Sequence, residues 1–221
     1  MTTEALSSSP KSVSSLFLER GDEDDNICSL DQFLQELPSA LQKRKVEAIN
    51  PGASNDPVSI LLRRTELSEN QWKNYAMFDA TRAYTRNLIA TDNKTFTLLL
   101  LCWNPGKESP IHDHPCDGCW LKVFRGGVRE CRYNNDLQCV SDETFHEGQI
   151  GYIYDSMGYH KIGNPSEVEG AVTLHLYAPP ILRCRTWRSE DPSSEEISKS
   201  INFSEFGKIL SAEEATTTDQ Q

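Results

Sequence analysis

SPIHDHPCDGCWLKVFRGG, Ser109 to Gly127, sets two histidines and two cysteines within eight positions, from His112 to Cys119. All four side chains bind metals, and the run closes on what reads as a strand and a tight turn. Two readings compete. In one, His112, His114, Cys116 and Cys119 close a zinc knot. In the other, the two histidines are half of a metal-dependent site completed further along. Residues i and i+2 of a strand face the same side, so His112 and His114 converge while Asp113 points away. Four ligands in eight residues are cramped for a tetrahedron. A redox Cys-x-x-Cys at Cys116 and Cys119 would open a helix, whereas here a strand follows.

Outward from this stretch the pattern stays at the period of strands. AYTRNLIATDNKTFTLLLLCWNPG (83–106) reads as two strands joined at Asp92-Asn93. GCWLKVFRGGVRECRY (118–133) reads as a hairpin turning at Gly126-Gly127. QIGYIYD, YHKIGN and AVTLHLYAPP continue the run, and short strands with frequent turn signals predict a sandwich or small barrel. Upstream the period is helical. Ser29 and Gln32 form a capping box before Leu30, Phe33, Leu34 and Leu37, with Pro38 expected to break or kink that helix. NPGASNDP (50–57) reads as a loop, and Ser68 with Gln71 opens a second helical region ending near Asp79. The expectation is a flexible tail over 1–27, one domain over 28–210 with a helical part (28–79) and a β-barrel (80–210), and a flexible tail over 211–221.

The 221 residues carry 22 Lys and Arg against 33 Asp and Glu, a formal charge of −11. That excludes a general affinity for nucleic acid or anionic membranes, while one local Arg suffices for a small anionic substrate. No apolar run is long enough to span a bilayer, and the first twenty residues lack a signal-peptide core. Seven cysteines, an odd number, then read as reduced thiols in a cytoplasmic protein, expected to be a monomer.

A second signal lies in AVTLHLYAPP (171–180). Thr173, His175 and Tyr177 share one face of the strand, and Val172, Leu174 and Leu176 share the other. A polar face on an otherwise buried strand is unusual, because buried polar groups need partners. Of the other histidines, His146 follows an acidic loop and reads as exposed.

Gly106, His112 and His114 in the spacing G-x5-H-x-H, followed by Cys119 and Gly126, match the first cupin motif with Cys in place of its usual Glu. Gly148, Gly158, His160 and Asn164 fit the second motif with shifted spacing and without its proline. WKNYAMFD, YTRNL, LCW, IHDH, GYH and LHLYAPP, in that order over about residues 28–207, resemble the animal and fungal type of cysteine dioxygenase. The resemblance implies a mainly β, cupin-type jelly-roll barrel with N-terminal α-helices. It implies an enzyme that uses Fe(II) and O2 to oxidise the L-cysteine thiol to cysteine sulfinic acid, in cysteine catabolism. The metal ligands would be His112, His114 and His160, and Cys119 and Tyr177 would form a thioether crosslink. Arg86 would receive the substrate carboxylate beside Tyr84, and His175 and Thr173 would form a hydrogen-bonded chain to the Tyr177 hydroxyl. Ala178-Pro179 falls where the family has a cis peptide after Ser.

The chemistry suits these residues. Three neutral imidazoles leave the full 2+ charge on iron, whereas a two-His-one-carboxylate triad would cancel one unit. Arg86 offers a bidentate, charge-assisted grip on a carboxylate and selects against cysteamine. Relatives that prefer 3-mercaptopropionate carry their Arg elsewhere, so YTRNL favours cysteine. Two alternatives stay open: a dioxygenase of another small thiol carboxylate, and a non-catalytic metal-binding cupin. Without the resemblance, Arg86 reads as a surface ion pair, Tyr177 as core and Cys119 as a small buried hydrophobe. Trp103 and Trp120 read as packing, and Cys184 as a candidate for the site entrance.

Overall fold

The computed structural model describes residues 29–211 and 213–214. The tail expected over 1–27, and most of the one expected over 211–221, lie outside the described residues. Three α-helices come first: α1 (Leu30–Val46), α2 (Pro57–Arg64) and α3 (Glu69–Trp72). The strands are β1 (Tyr84–Thr91), β2 (Thr97–Trp103), β3 (Ile111–His112), β4 (Gly118–Arg125), β5 (Gly127–Tyr133), β6 (Cys139–His146) and β7 (Ile150–Ile153). They continue as β8 (Tyr159–Gly163), β9 (Ala171–Ala178), β10 (Arg183–Trp187), β11 (Glu195–Lys199), β12 (Ser204–Glu205) and β13 (Lys208–Ile209). One sheet runs β13-β12-β1-β2-β9-β4-β7 and the other β11-β10-β3-β8-β5-β6. From β2 to β10 the chain changes sheet at each step except the β5–β6 hairpin. This is the jelly-roll barrel of cupins, with helices added at its N-terminal end.

The first sheet is covered on both faces. On one side Phe33 and Leu37 of α1 and Val58, Leu61 and Leu62 of α2 pack on Leu98, Leu100, Val172, Leu174 and Leu176. On the other, Leu99, Leu101, Val123 and Tyr177 meet Val128 and Ile162 of the second sheet. So β9 is buried along its whole length, and Thr173, His175 and Tyr177 face the barrel interior.

Four local expectations need correction. Pro38 does not break α1, which runs continuously past it. Its ring is exposed, so the carbonyl it leaves unpaired meets water, while Phe33, Leu37 and Leu41 anchor both halves of the helix. The loop assigned to 50–57 hides a helix start: Asp56 caps α2 through Val58 N and Ser59 N, with Pro57 at its first position. The later helical region ends at Tyr75, short of Asp79. Finally, Gly126-Gly127 is not a hairpin turn. β4 pairs with β7 and β9, β5 pairs with β6 and β8, and the chain crosses from one sheet to the other at Gly126, whose φ is +74°. A Cβ there would sit 3.3 Å from the Ala171 Cβ, so glycine suits both the backbone and the space. The Ala178-Pro179 bond is cis.

Candidate metal centre

His112 closes β3 and stands directly opposite His160 of β8. Antiparallel neighbours in register face the same side, so both imidazoles enter the barrel. His114 lies two residues beyond the end of β3, yet its ring centroid is 4.8 Å from that of His112 and 4.5 Å from that of His160. One ring nitrogen from each of the three falls within 4.8 Å of the others. Among the described residues no cysteine joins this group, which overturns the zinc-knot alternative: Cys116 packs in the apolar interior and Cys119 faces another strand.

The second nitrogens narrow what the cluster can hold. His112 Nδ1 lies 3.0 Å from Pro110 O, a group that only accepts, so the proton of neutral His112 sits on Nδ1. His160 Nδ1 lies 2.6 Å from Glu130 Oε1 and donates to that carboxylate. Glu130 Oε2 accepts from Arg132 Nε at 2.7 Å, and Arg132 Nη2 donates to Tyr152 O at 2.7 Å. Both Nε2 atoms then present bare lone pairs to each other across 3.2 Å. Two acceptors this close repel unless they share a cation. Burial pushes all three imidazoles towards the neutral, ligating form, and for His114 and His160 the neighbouring rings add to it. His114 Nδ1 is buried without a hydrogen-bond partner. A metal ion fits this donor set, and a hydrogen-bonded core cluster does not.

Beside the imidazoles lies a cavity of about 260 Å³, lined by Tyr84, Arg86, Tyr177 and Cys184 as well as His112 and His114. Arg86 and Tyr84 come from β1, where alternation points both to the same side. The Arg86 guanidinium lies 5.5 Å from the centre of the Tyr177 ring, and its buried Nε has no partner. Burial raises the Tyr177 phenol above its ordinary pKa, with Arg86 opposing, so the hydroxyl stays protonated. Cys119 of β4 stands opposite Tyr177 of β9 in register, which brings their side chains together on one face. Burial keeps Cys119 a thiol.

A smaller recess of about 20 Å³ continues inward past His160 and His175 towards Trp103. Here the hydrogen-bonded chain takes a different course from the expected one. Trp103 Nε1 donates to Thr173 Oγ1 at 2.8 Å, and Thr173 Oγ1 bonds His175 Nε2 at 2.8 Å. The contact of His175 with Tyr177 is ring against ring, centroids 6.1 Å apart. Burial, with Arg86 nearby, lowers the His175 pKa to about 3. Trp103, read as packing, therefore carries a polar link and also stacks on Tyr84 at 4.6 Å.

Sequence reasoning missed Glu130 and Arg132. The signal was present: Val128 and Glu130 lie on one face of β5, and a carboxylate in a buried position needs a partner.

The family model for cysteine dioxygenase type I matches residues 40–190, a span that holds every residue described at this site. The chain belongs to the cysteine dioxygenase type I family. It is 36% identical to cysteine dioxygenase type 1 of Rattus norvegicus, over 69% of this chain and 78% of that one. Against the Homo sapiens protein the identity is 35% over the same shares. Against the Danio rerio protein it is 37% over 60% of this chain and 69% of that one. A solved Klebsiella pneumoniae structure with a double-stranded β-helix domain superposes at a TM-score of 0.41 and 18% identity, over 48% of this chain and 85% of its own. This cysteine dioxygenase has Cys119 where the cupin pattern has Glu.

Proposed function

We propose that this cysteine dioxygenase binds Fe(II) through His112, His114 and His160 and converts L-cysteine and O2 to cysteine sulfinic acid. The observation that carries the reading is the trio of neutral imidazoles, His114 and His160 buried and His112 half-buried, whose free nitrogens converge beside a cavity lined by an arginine with one unpartnered nitrogen. Iron bound there supplies a doubly positive, redox-active centre at which a thiol and O2 can react.

The chain's own residues do the rest. Arg86 holds the substrate carboxylate, a charge-assisted contact contributing roughly 1.5 to 3 kcal/mol. Tyr84, set by Trp103, shapes the same end of the cavity. The protonated Tyr177 hydroxyl donates a hydrogen bond to the bound reactants. Thr173 and Trp103 fix the ring of His175, which packs against Tyr177. Cys119 and Tyr177 form a thioether: a bond joins Sγ to a ring carbon, and the S–H and C–H hydrogens leave with two electrons to O2. A fixed phenol ring loses no rotamer freedom when substrate binds.

We take a monomer as the working unit and residues 28–210 as its catalytic domain. No helix among the described residues is long and apolar enough to cross a membrane. We place the enzyme in the cytoplasm, where its six described cysteines, all unpaired with one another, would stay reduced.

The test is O2 uptake by the anaerobically Fe(II)-loaded protein with cysteine, cysteamine and 3-mercaptopropionate side by side. The expected result is uptake with cysteine and a product about 32 Da heavier, the mass of both oxygen atoms. Uptake with 3-mercaptopropionate instead would select the other thiol-carboxylate reading. No uptake with any of the three, despite bound iron, would leave a non-catalytic metal-binding cupin.

A further inference from the structure

Two of the three imidazoles are oriented by a hydrogen bond at their second nitrogen, His112 by Pro110 O and His160 by Glu130. His114 has no such bond and lies outside the strand, so its direction depends on how its backbone is held. Two contacts hold it: His114 O accepts from Cys116 N at 2.6 Å, and the residue before it is gripped by Arg185. Asp113, between the two histidines, donates its N–H to Arg185 O at 3.1 Å. Its Oδ1 accepts from Arg185 N at 2.7 Å, and its Oδ2 from Arg185 Nε at 2.7 Å. Both carboxylate oxygens are thus taken by Arg185, and the Asp113 side chain is only 7% exposed.

Arg185 is itself seated. Its guanidinium carbon lies 5.4 Å from the ring centres of both Tyr159 and Trp187, which pack on each other at 4.4 Å. Tyr159 directly precedes His160. One side chain therefore pins the turn between two ligands and rests on the neighbour of the third.

We propose that Arg185 is a positioning residue of the metal centre, acting through Asp113 to fix the segment from which His112 and His114 project. The inference rests on the three-histidine reading above. Its competitor is a purely structural role, in which Arg185 only ties the β10–β11 hairpin to the barrel.

The experiment titrates Co(II) into the metal-free full-length protein, followed by its visible absorption, alongside thermal melts without metal. Arg185→Ala is expected to weaken Co(II) binding about 10- to 100-fold, the usual cost of losing an outer partner of a metal ligand. Arg185→Lys keeps a charge but not the planar fork, and should recover part of the loss. A lowered melting temperature with wild-type Co(II) affinity in Arg185→Ala would overturn the proposal. Should that variant fail to fold, Asp113→Asn and Arg185→Lys decide by the same criterion: wild-type affinity in both overturns it, and a weakened one supports it. A wild-type protein that takes up no Co(II) would overturn the three-histidine reading, and the inference with it.

Discussion

The two sheets contribute differently to the site. The second sheet carries His112, His160, Glu130 and Arg185 on β3, β8, β5 and β10, with His114 just past the end of β3. The first carries Tyr84 and Arg86 on β1, Trp103 on β2, Cys119 on β4, and Thr173, His175 and Tyr177 on β9. On the second sheet the charges are closed into pairs, Glu130 with Arg132 and His160, and Asp113 with Arg185. On the first, one cation faces the cavity with a nitrogen left unpartnered. A wall whose charges are already satisfied suits a resident metal. A wall with an open donor suits a molecule that arrives and leaves.

That contrast can be broken by measuring iron content and steady-state kinetics on the same variants. His160→Ala, on the second wall, should give the largest effect: iron near background and turnover down by about a thousandfold or more, roughly 4 kcal/mol. Retained iron with normal turnover would remove His160 from the ligand set. Glu130→Gln should weaken metal binding about 10- to 100-fold, because the amide no longer carries the charge that holds the His160 proton. An unchanged affinity would make Glu130 a partner of Arg132 alone. On the first wall, Arg86→Ala should raise the cysteine KM at least about tenfold, near 1.4 kcal/mol, with iron content at the wild-type level. Lost iron in that variant would mean the walls do not act separately. Trp103→Phe, which removes the donor to Thr173 along with part of the ring packed on Tyr84, should lower kcat a few-fold, about 0.5 to 1.5 kcal/mol, again without loss of iron. A kcat unchanged from wild type would return Trp103 to a packing role.

What was legible in the chain was what depends on near neighbours. The α1 capping box forms as its spacing says, Ser29 and Gln32 bonding each other's backbone. The two faces of β9 follow from alternation; His112 and His114 do converge, but His114 lies beyond the end of β3, so strand alternation is not what brings its ring there. The failures share one cause: a local signal was outvoted by distant partners. Gly126-Gly127 is a sound hairpin signal, but β4 is claimed by β7 and β9 and β5 by β6 and β8. Pro38 is a sound helix breaker, but burial of Leu37 and Leu41 on either side outweighs one lost hydrogen bond. The pairing of His112 with His160, 48 residues apart, has no local signature and came only through the family resemblance. Glu130 was visible as an inward carboxylate, yet nothing nearby names His160 as its partner. Arg185 likewise meets Asp113 from 72 residues away.

A chain that changes sheet at nearly every step also sets a ruler. The histidines proposed as metal ligands hang from one layer and the guanidinium of Arg86 from the facing one, and such layers stand about 10 Å apart. The thickness of the barrel, more than the outline of any one side of the cavity, then measures the molecule that fits. A thiol and a carboxylate at the right separation reach both layers at once. Thiol acids one methylene longer or shorter are expected to bind more weakly than cysteine, which their KM values test.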